Sequence, residues 1–342
     1  MNIDFQLTKS INNNIFNFSL LIGRIGTLDN ATVIMRSIIE ENLKRASLAA
    51  VSLDKNILEK IELENFKLKE KSSDNFDSMR KEFIAYTSAK LDLVSKVENI
   101  DLKFIKNLHQ KTVGISKSEF RKTNRLLPKE VSNNWVTKKI ELEVKTTPTQ
   151  IKDKMDKFIA WINGASLEEN PVIVAGICHF KIAEIHPYDD GNGRLGRLLE
   201  YAILKSRGVD VVDYIATEIF YLNHRERYYD LIEYTIESQD LTKWLEFYTE
   251  ALLTSIIATA KQLYKLSGGC VDIINNRIIK TNEIEQKIIE LMQKLNQPSP
   301  TEIAEVMGTS RQNVYYFLKG LHEKGILQKV GKNTGARYKL KT

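Results

Sequence analysis

The chain has 342 residues, 50 Lys and Arg against 44 Asp and Glu for a net charge of +6, and 42% apolar residues. That length suggests two or three domains rather than one core; the apolar share is ordinary for a soluble protein, and no apolar run is long enough to span a bilayer. The start, MNIDFQLTKSINNN, lacks the basic-then-apolar pattern of a secretory leader, and two cysteines, Cys178 and Cys270, provide neither a disulfide framework nor a zinc site, which fits a reducing cytoplasm.

Residues 1–95 read as amphipathic helices over Phe16–Ile25, Val33–Leu48, the lysine- and glutamate-rich Leu58–Lys71 and Met79–Val94, because apolar residues recur every three or four positions. Residues 96–262 form a second region, with helices near Leu102–His109, Pro148–Ile162, Pro171–Ile185, Arg194–Lys205 and Arg225–Glu237. Between the first two, Ile140, Leu142 and Val144 alternate with Lys139, Glu141, Glu143 and Lys145, so Val136–Thr147 reads as a strand or hairpin. Ser267-Gly268-Gly269 marks a linker. Residues 271–342 form a small third domain: a helix over Glu283–Leu295, a break at Pro298-Ser299-Pro300, a short helix Thr301–Val306, a turn at Gly308-Thr309-Ser310, a helix Gln312–Lys324, and two strands, Gln328–Val330 and Arg337–Leu340. The fold class is mainly α, with one hairpin and a small α/β domain at the C-terminal end.

Chemistry concentrates in His186-Pro187-Tyr188-Asp189-Asp190-Gly191-Asn192-Gly193-Arg194-Leu195-Gly196-Arg197. The apolar PVIVAGICHFKIAEI helix stops before Pro187, which puts His186 at a helix end that opens a loop. Gly191 and Gly193 permit left-handed backbone and close approach to a ligand. A new helix starts near Arg194, and its N-terminal N–H groups and dipole suit an anion. Arg194 and Arg197 share a helix face at i and i+3, so both can reach one polyphosphate. Asp190 would repel phosphate unless a divalent cation bridges them, and Mg²⁺ binds in that way, through one or two carboxylates and phosphate oxygens. His186 is a base for cellular pH.

At these residues the chain resembles the Fic family, whose signature is HPFx(D/E)GNGRxxR. The resemblance covers roughly residues 100 to 250 and implies an all-α enzyme that transfers AMP from ATP to a hydroxyl of a target protein. It makes His186 the base, Asp190 the Mg²⁺ ligand, Gly191, Asn192, Gly193 and Arg194 the phosphate loop, and Arg197 the γ-phosphate ligand. Tyr188 replaces the family's phenylalanine, so its hydroxyl needs a partner or a path to solvent. Ile140, Glu141, Leu142 and Glu143 fall where the family has its target-binding flap, and Tyr228-Tyr229 match a tyrosine pair near the adenine. Upstream, Ser37-Ile38-Ile39-Glu40-Glu41-Asn42 fits the family's inhibitory pattern (S/T)xxxE(G/N), which implies that Glu41 pairs with Arg197 and competes with the γ-phosphate. Self-modification and homodimer formation are left open.

From Thr309 onward, eight Lys and Arg (Arg311, Lys319, Lys324, Lys329, Lys332, Arg337, Lys339, Lys341) face one acid, Glu323, so this stretch holds the whole basic excess. The element order there resembles a winged helix-turn-helix. Arg311, Gln312 and Asn313 would start the recognition helix, and Lys332 and Arg337 would offer charge to phosphate, which implies DNA as a partner. His109, His179, His224 and His322 lack metal-ligand spacing and read as core or surface residues. Two other functions fit the same motif: a hydrolase that removes AMP from a modified side chain using His186 and Glu41, and a transcription regulator that only senses ATP.

Overall fold

The computed structural model describes residues 3–25, 31–55, 74–95, 97, 99–133, 136–266, 270–274, 277–295, 298–330 and 337–340. The expected helix Leu58–Lys71, the linker at Ser267–Gly269 and Lys332 lie outside those residues. Two compact units divide the chain: Met1–Ser19 with Ile39–Ile256, and Leu20–Ile38 with Ile257–Thr342.

Among the described residues, the first unit is helical apart from a single long hairpin. Its elements, some of which run on into the second unit, are α1 (Lys9–Ile25), α2 (Ala31–Lys55), α3 (Asp74–Ser95), α4 (Leu102–Val113), the strands β1 (Leu126–Asn133) and β2 (Val136–Glu143), α5 (Pro148–Ile162), α6 (Pro171–Ile185), α7 (Asn192–Ser206), α8 (Thr217–Asn223), α9 (Arg225–Ser238) and α10 (Thr242–Leu266). Local chemistry sets the boundaries. The Asp101 carboxylate accepts the Phe104 N–H at 2.7 Å and starts α4, and left-handed Gly114 ends it. Pro171 occupies the first turn of α6, where its missing N–H costs nothing, and Asn170 caps that turn.

Helix α6 is apolar all round and lies in the middle of the core. Helix α7 packs against it at close range, because a Cβ at Gly196 would stand 2.9 Å from His179 Cδ2. Helix α10 closes the other side, with the Trp244 indole N–H bonded to the Gly176 carbonyl at 2.8 Å. The apolar runs of α6 and α7 thus put the loop between them, residues 186–191, on a rigid two-helix base.

Strands β1 and β2 pair antiparallel from Leu126↔Glu143 to Asn133↔Val136. The strand expected over Val136–Thr147 ends at Glu143, since Thr147 begins α5: its N–H is taken by the Gln150 side chain at 3.0 Å.

In the second unit, β3 (Cys270–Ile274) and β4 (Arg277–Thr281) form a hairpin that the sequence reading did not anticipate. There follow α11 (Glu283–Lys294), α12 (Pro300–Met307), α13 (Arg311–Glu323) and the antiparallel pair β5 (Leu327–Val330) and β6 (Arg337–Leu340). Ile288, Ile303, Val314, Leu318, Leu321, Ile326 and Tyr338 make its core. Asn282 with Glu285, and Ser299 with Glu302, form capping boxes at the starts of α11 and α12, and Ser310 caps α13.

Candidate active site

The loop between α6 and α7 is held open by backbone contacts as much as by glycine. His186 ends α6 in the left-handed region at φ 49°, rare for a residue with a Cβ. Arg121, buried, holds it there: its Nε donates to the His186 carbonyl at 2.8 Å and its backbone N–H to the Pro187 carbonyl at 2.9 Å. Its two Nη groups donate to the Thr123 and Thr146 carbonyls. The His186 imidazole is mostly removed from water. Burial lowers its pKa from 6.5 to about 4, the Arg121 and Arg125 guanidiniums push the same way, and a hydrogen bond to the Ala183 backbone and the Asp190 charge oppose them. The ring is therefore neutral at pH 7, the form in which it can take a proton.

Asn192 does not reach outward. Its Oδ1 accepts the Tyr188 N–H at 3.0 Å and its Nδ2 donates to the Tyr188 carbonyl at 2.7 Å, so its side chain shapes the loop rather than lining a pocket. Left-handed Gly191 (φ 78°) leads into α7, and a Cβ there would crowd Val113 and His109. Helix α7 begins at Asn192, so the amides of its first turn open toward the loop. Asp190 projects from the loop, 71% exposed; its Oδ1 takes the Gly191 N–H at 2.7 Å and its Oδ2 the Arg194 Nη2 at 3.1 Å. Among the described residues no cluster of three or more His, Cys, Asp or Glu could hold a metal. A single carboxylate at a loop tip fits Mg²⁺ only in the mode that shares the ion with phosphate oxygens.

Arg194 and Arg197 are both 1% exposed. Arg194 meets the Glu82 carboxylate, Nη1 to Oε2 at 2.9 Å, besides Asp190. Arg197 donates from Nη2 to the Ala50 carbonyl on α2 at 3.1 Å. This contact places Arg197 against the end of α2, at Ala50. Glu41 is half-exposed and faces Arg45 at 3.6 Å, one turn along its own helix. Ala50 lies nine residues further on, about 13 Å along α2. The last turns of α2, not the Ser37–Asn42 stretch, reach the site: the Leu53 carbonyl accepts Tyr229 OH at 3.2 Å and Arg225 Nε at 3.4 Å.

The tyrosine pair divides. Tyr228 is buried, its hydroxyl 2.8 Å from His179 Nε2, while His179 Nδ1 bonds Glu200 at 2.6 Å and Glu200 also accepts from Thr217 and Tyr221. Only Tyr229 is partly open, with Arg225 4.9 Å over its ring. Tyr188 stacks on His109 with centroids 3.7 Å apart, and burial lifts its phenol to about 12. Residues Ile140, Glu141, Leu142 and Glu143 form the C-terminal end of β2, opposite Lys129, Pro128, Leu127 and Leu126. Far along the chain, Arg311, Gln312 and Asn313 are exposed at the start of α13, and Arg337 is exposed at the start of β6.

Residues 99–204 match the family model described as "Fic/DOC family". Those residues are a Fic domain. The protein adenylyltransferase Fic of Culex quinquefasciatus is 29% identical over 160 residues, 45% of this chain and 28% of that protein, and its namesake from Drosophila grimshawi is 30% identical over 45% and 29%. The chain thus spans under a third of the length of these relatives. A Fic family protein from Desulfovibrio desulfuricans G20 superposes with a TM-score of 0.61 at 17% identity, over 100% of this chain and 98% of that one; at such identity the likeness establishes the fold alone.

Three residues of the Fic site carried no sequence signal. His109, read as bland, donates its Nε2–H to the Asp190 carbonyl at 2.9 Å and accepts the Ser118 hydroxyl on Nδ1 at 2.8 Å, and burial lowers its pKa. Arg121 holds the loop from 65 residues away, and Glu82 meets Arg194 from a helix before the family match. Each is defined by a tertiary contact that no local pattern marks.

Proposed function

We propose that the chain is a protein adenylyltransferase that moves AMP from ATP to a Ser, Thr or Tyr hydroxyl of a target protein. The observation that carries this reading is a neutral imidazole, His186, at the mouth of a loop whose far end is a helix start backed by two buried arginines. His186 takes the hydroxyl proton; the oxygen bonds to the α-phosphorus of ATP; the bond to the β-phosphate bridge breaks and pyrophosphate leaves. Arg194, Arg197 and the first-turn amides of α7 hold the phosphates in line. Mg²⁺, held by Asp190 and the phosphates, would neutralise their charge. Tyr229, rather than Tyr228, is the aromatic beside the nucleotide, and the β1–β2 hairpin, with Ile140–Glu143, receives the target.

The brake assigned to Glu41 takes another form in this reading. The carbonyl-bearing last turns of α2 lie on Arg197, Arg225 and Tyr229, and α2 must yield there for the γ-phosphate to reach Arg197. No helix of the described residues is long and apolar enough to cross a membrane, and the buried Cys178, its thiol pushed up by desolvation, suits a cytoplasmic chain.

Labelling with α-³²P-ATP tests the proposal. Transfer to protein that is lost in His186→Ala supports it. ATP binding without transfer supports a sensor, and release of AMP from pre-modified protein supports a hydrolase.

A second activity is favoured by one observation in the C-terminal unit. Arg311, Gln312, Tyr315, Tyr316 and Lys319 line an open concavity on α13, with Tyr316 74% exposed, inside the stretch that holds the basic excess. We propose that the three helices and the β5–β6 pair act as a winged helix on DNA. A gel shift of the full chain on duplex DNA should weaken steeply with salt, and Arg311→Ala should lower the salt slope by about 1. No shift at low salt overturns this reading.

A further inference from the structure

We infer that Glu82 is a positioning residue for Arg194, and that α3 is part of the catalytic unit rather than of a separable upstream region. The role of Arg194 rests on the adenylyl-transfer reading; the pairing does not.

A guanidinium as buried as Arg194 needs negative partners at once, since an unpaired charge out of water is costly. Two carboxylates reach it, and they differ. Asp190 sits on a loop with its side chain 71% exposed. Glu82 sits on a helix with its side chain 12% exposed. Asp190 can therefore turn toward a cation or give up its place to a phosphate oxygen at little cost. Glu82 cannot, because α3 is locked to the core on the same face. Four and eight residues on, Tyr86 OH and Lys90 Nζ bond one oxygen of Glu218, at 2.8 and 2.6 Å, and all three groups are buried. Burial would raise the Glu218 carboxyl, but the Lys90 ammonium and its hydrogen bond outweigh that and hold it ionised, below the usual range. Lys90 also lies 5.4 Å over the Tyr201 ring of α7. Lifting α3 would leave a buried charge without its mate.

The consequence for Arg194 is geometric. Its five N–H donors are fixed in one plane. With the Glu82 carboxylate 2.9 Å from Nη1 as an ion pair, the guanidinium is drawn toward α3, and Nη2 is left on the loop side, where Asp190 now accepts. Phosphate would replace Asp190 on that edge while Glu82 remains. A removable brake would need the opposite arrangement, an exposed carboxylate on a mobile element. Because α3 precedes the family match at residue 99, no motif marks this residue.

The test is Mg-ATP binding to the full-length chain by titration calorimetry, with Glu82→Ala, Glu82→Gln, Arg194→Ala and the Glu82→Ala/Arg194→Ala double variant, each checked by thermal melting. Glu82→Ala should weaken ATP roughly 30-fold or more, as when one partner of a buried charge pair is truncated. Glu82→Gln, which keeps the shape and loses the charge, should fall between. In turnover the loss should appear in KM for ATP more than in kcat, since His186 is untouched. The double variant should bind no worse than Arg194→Ala alone. ATP binding by both Glu82 variants at the parent level, or an undiminished further loss in the Arg194→Ala background, overturns the inference. If the parent itself fails to bind ATP, the adenylyl-transfer reading falls, and the melting cycle decides the pairing: additive losses overturn it and coupled losses support it.

Discussion

Changing pH across the His186 titration gives a direct measure of its surroundings. Burial, with Arg121 and Arg125, brings its imidazole to about 4. At pH 5.5 such a ring is about 97% neutral, whereas one with the ordinary value of 6.5 is about 9% neutral. Only the neutral ring accepts a proton. The rate of AMP transfer, as kcat/KM for ATP, should therefore hold level from pH 8 down to about 5, where an ordinary histidine would already have lost about thirtyfold. The same shift appears in stability. The folded value lies below the unfolded one, so protons bind the unfolded chain first. This contribution is complete above about pH 6.5 and drains away as pH falls toward 4, by at most about 3 kcal/mol. Initial rates with labelled ATP and a histidine ring NMR titration, assigned by the signal missing in His186→Ala, give two independent readings. An inflection between pH 6 and 7 in both would refute the claim that the ring is desolvated.

Three further outcomes follow from contacts described above. His109→Ala removes the bond to the Asp190 carbonyl, the bond to Ser118 and the stack on Tyr188, so melting should show a loss of about 2 kcal/mol or more and ATP turnover should fall; an active variant of unchanged stability would show that the loop holds itself. Gly196→Ala drives a methyl to 2.9 Å from the His179 ring and 3.2 Å from its carbonyl, which should cost about 1–3 kcal/mol in denaturant unfolding. Glu41→Gly removes the half-exposed pair with Arg45 and puts a glycine inside α2, so helix stability should fall by about 1 kcal/mol in thermal melting; a tenfold rise in self-labelling would make Glu41 the brake.

What could be read from the chain was what is contiguous in it. The twelve residues from His186 to Arg197 announce a helix end, a glycine loop and a helix start because each step depends on its neighbours. The starts of α11 and α12 were visible for the same reason, as a helix beginning at Glu283 and a break at Pro298-Ser299-Pro300. Strand β1 was not, because Pro128 argues against a strand interior; it is tolerated in a two-stranded ribbon, where one edge of every strand is unpaired. Helix α10, although it is 25 residues long, was not read from the sequence. In the same way, a loose six-residue pattern identifies a helix face, but not which turn of a 25-residue helix meets Arg197.

Arg121 has one more consequence. The carbonyls it grips, at Thr123 and Thr146, stand just outside the two feet of the hairpin, which are joined by the Val144 N–H to the Arg125 carbonyl at 2.9 Å; the third, at His186, is the end of α6. One side chain therefore serves as the pivot for everything between residues 126 and 143. The feet of the hairpin are thereby kept in constant register with the end of α6 at His186.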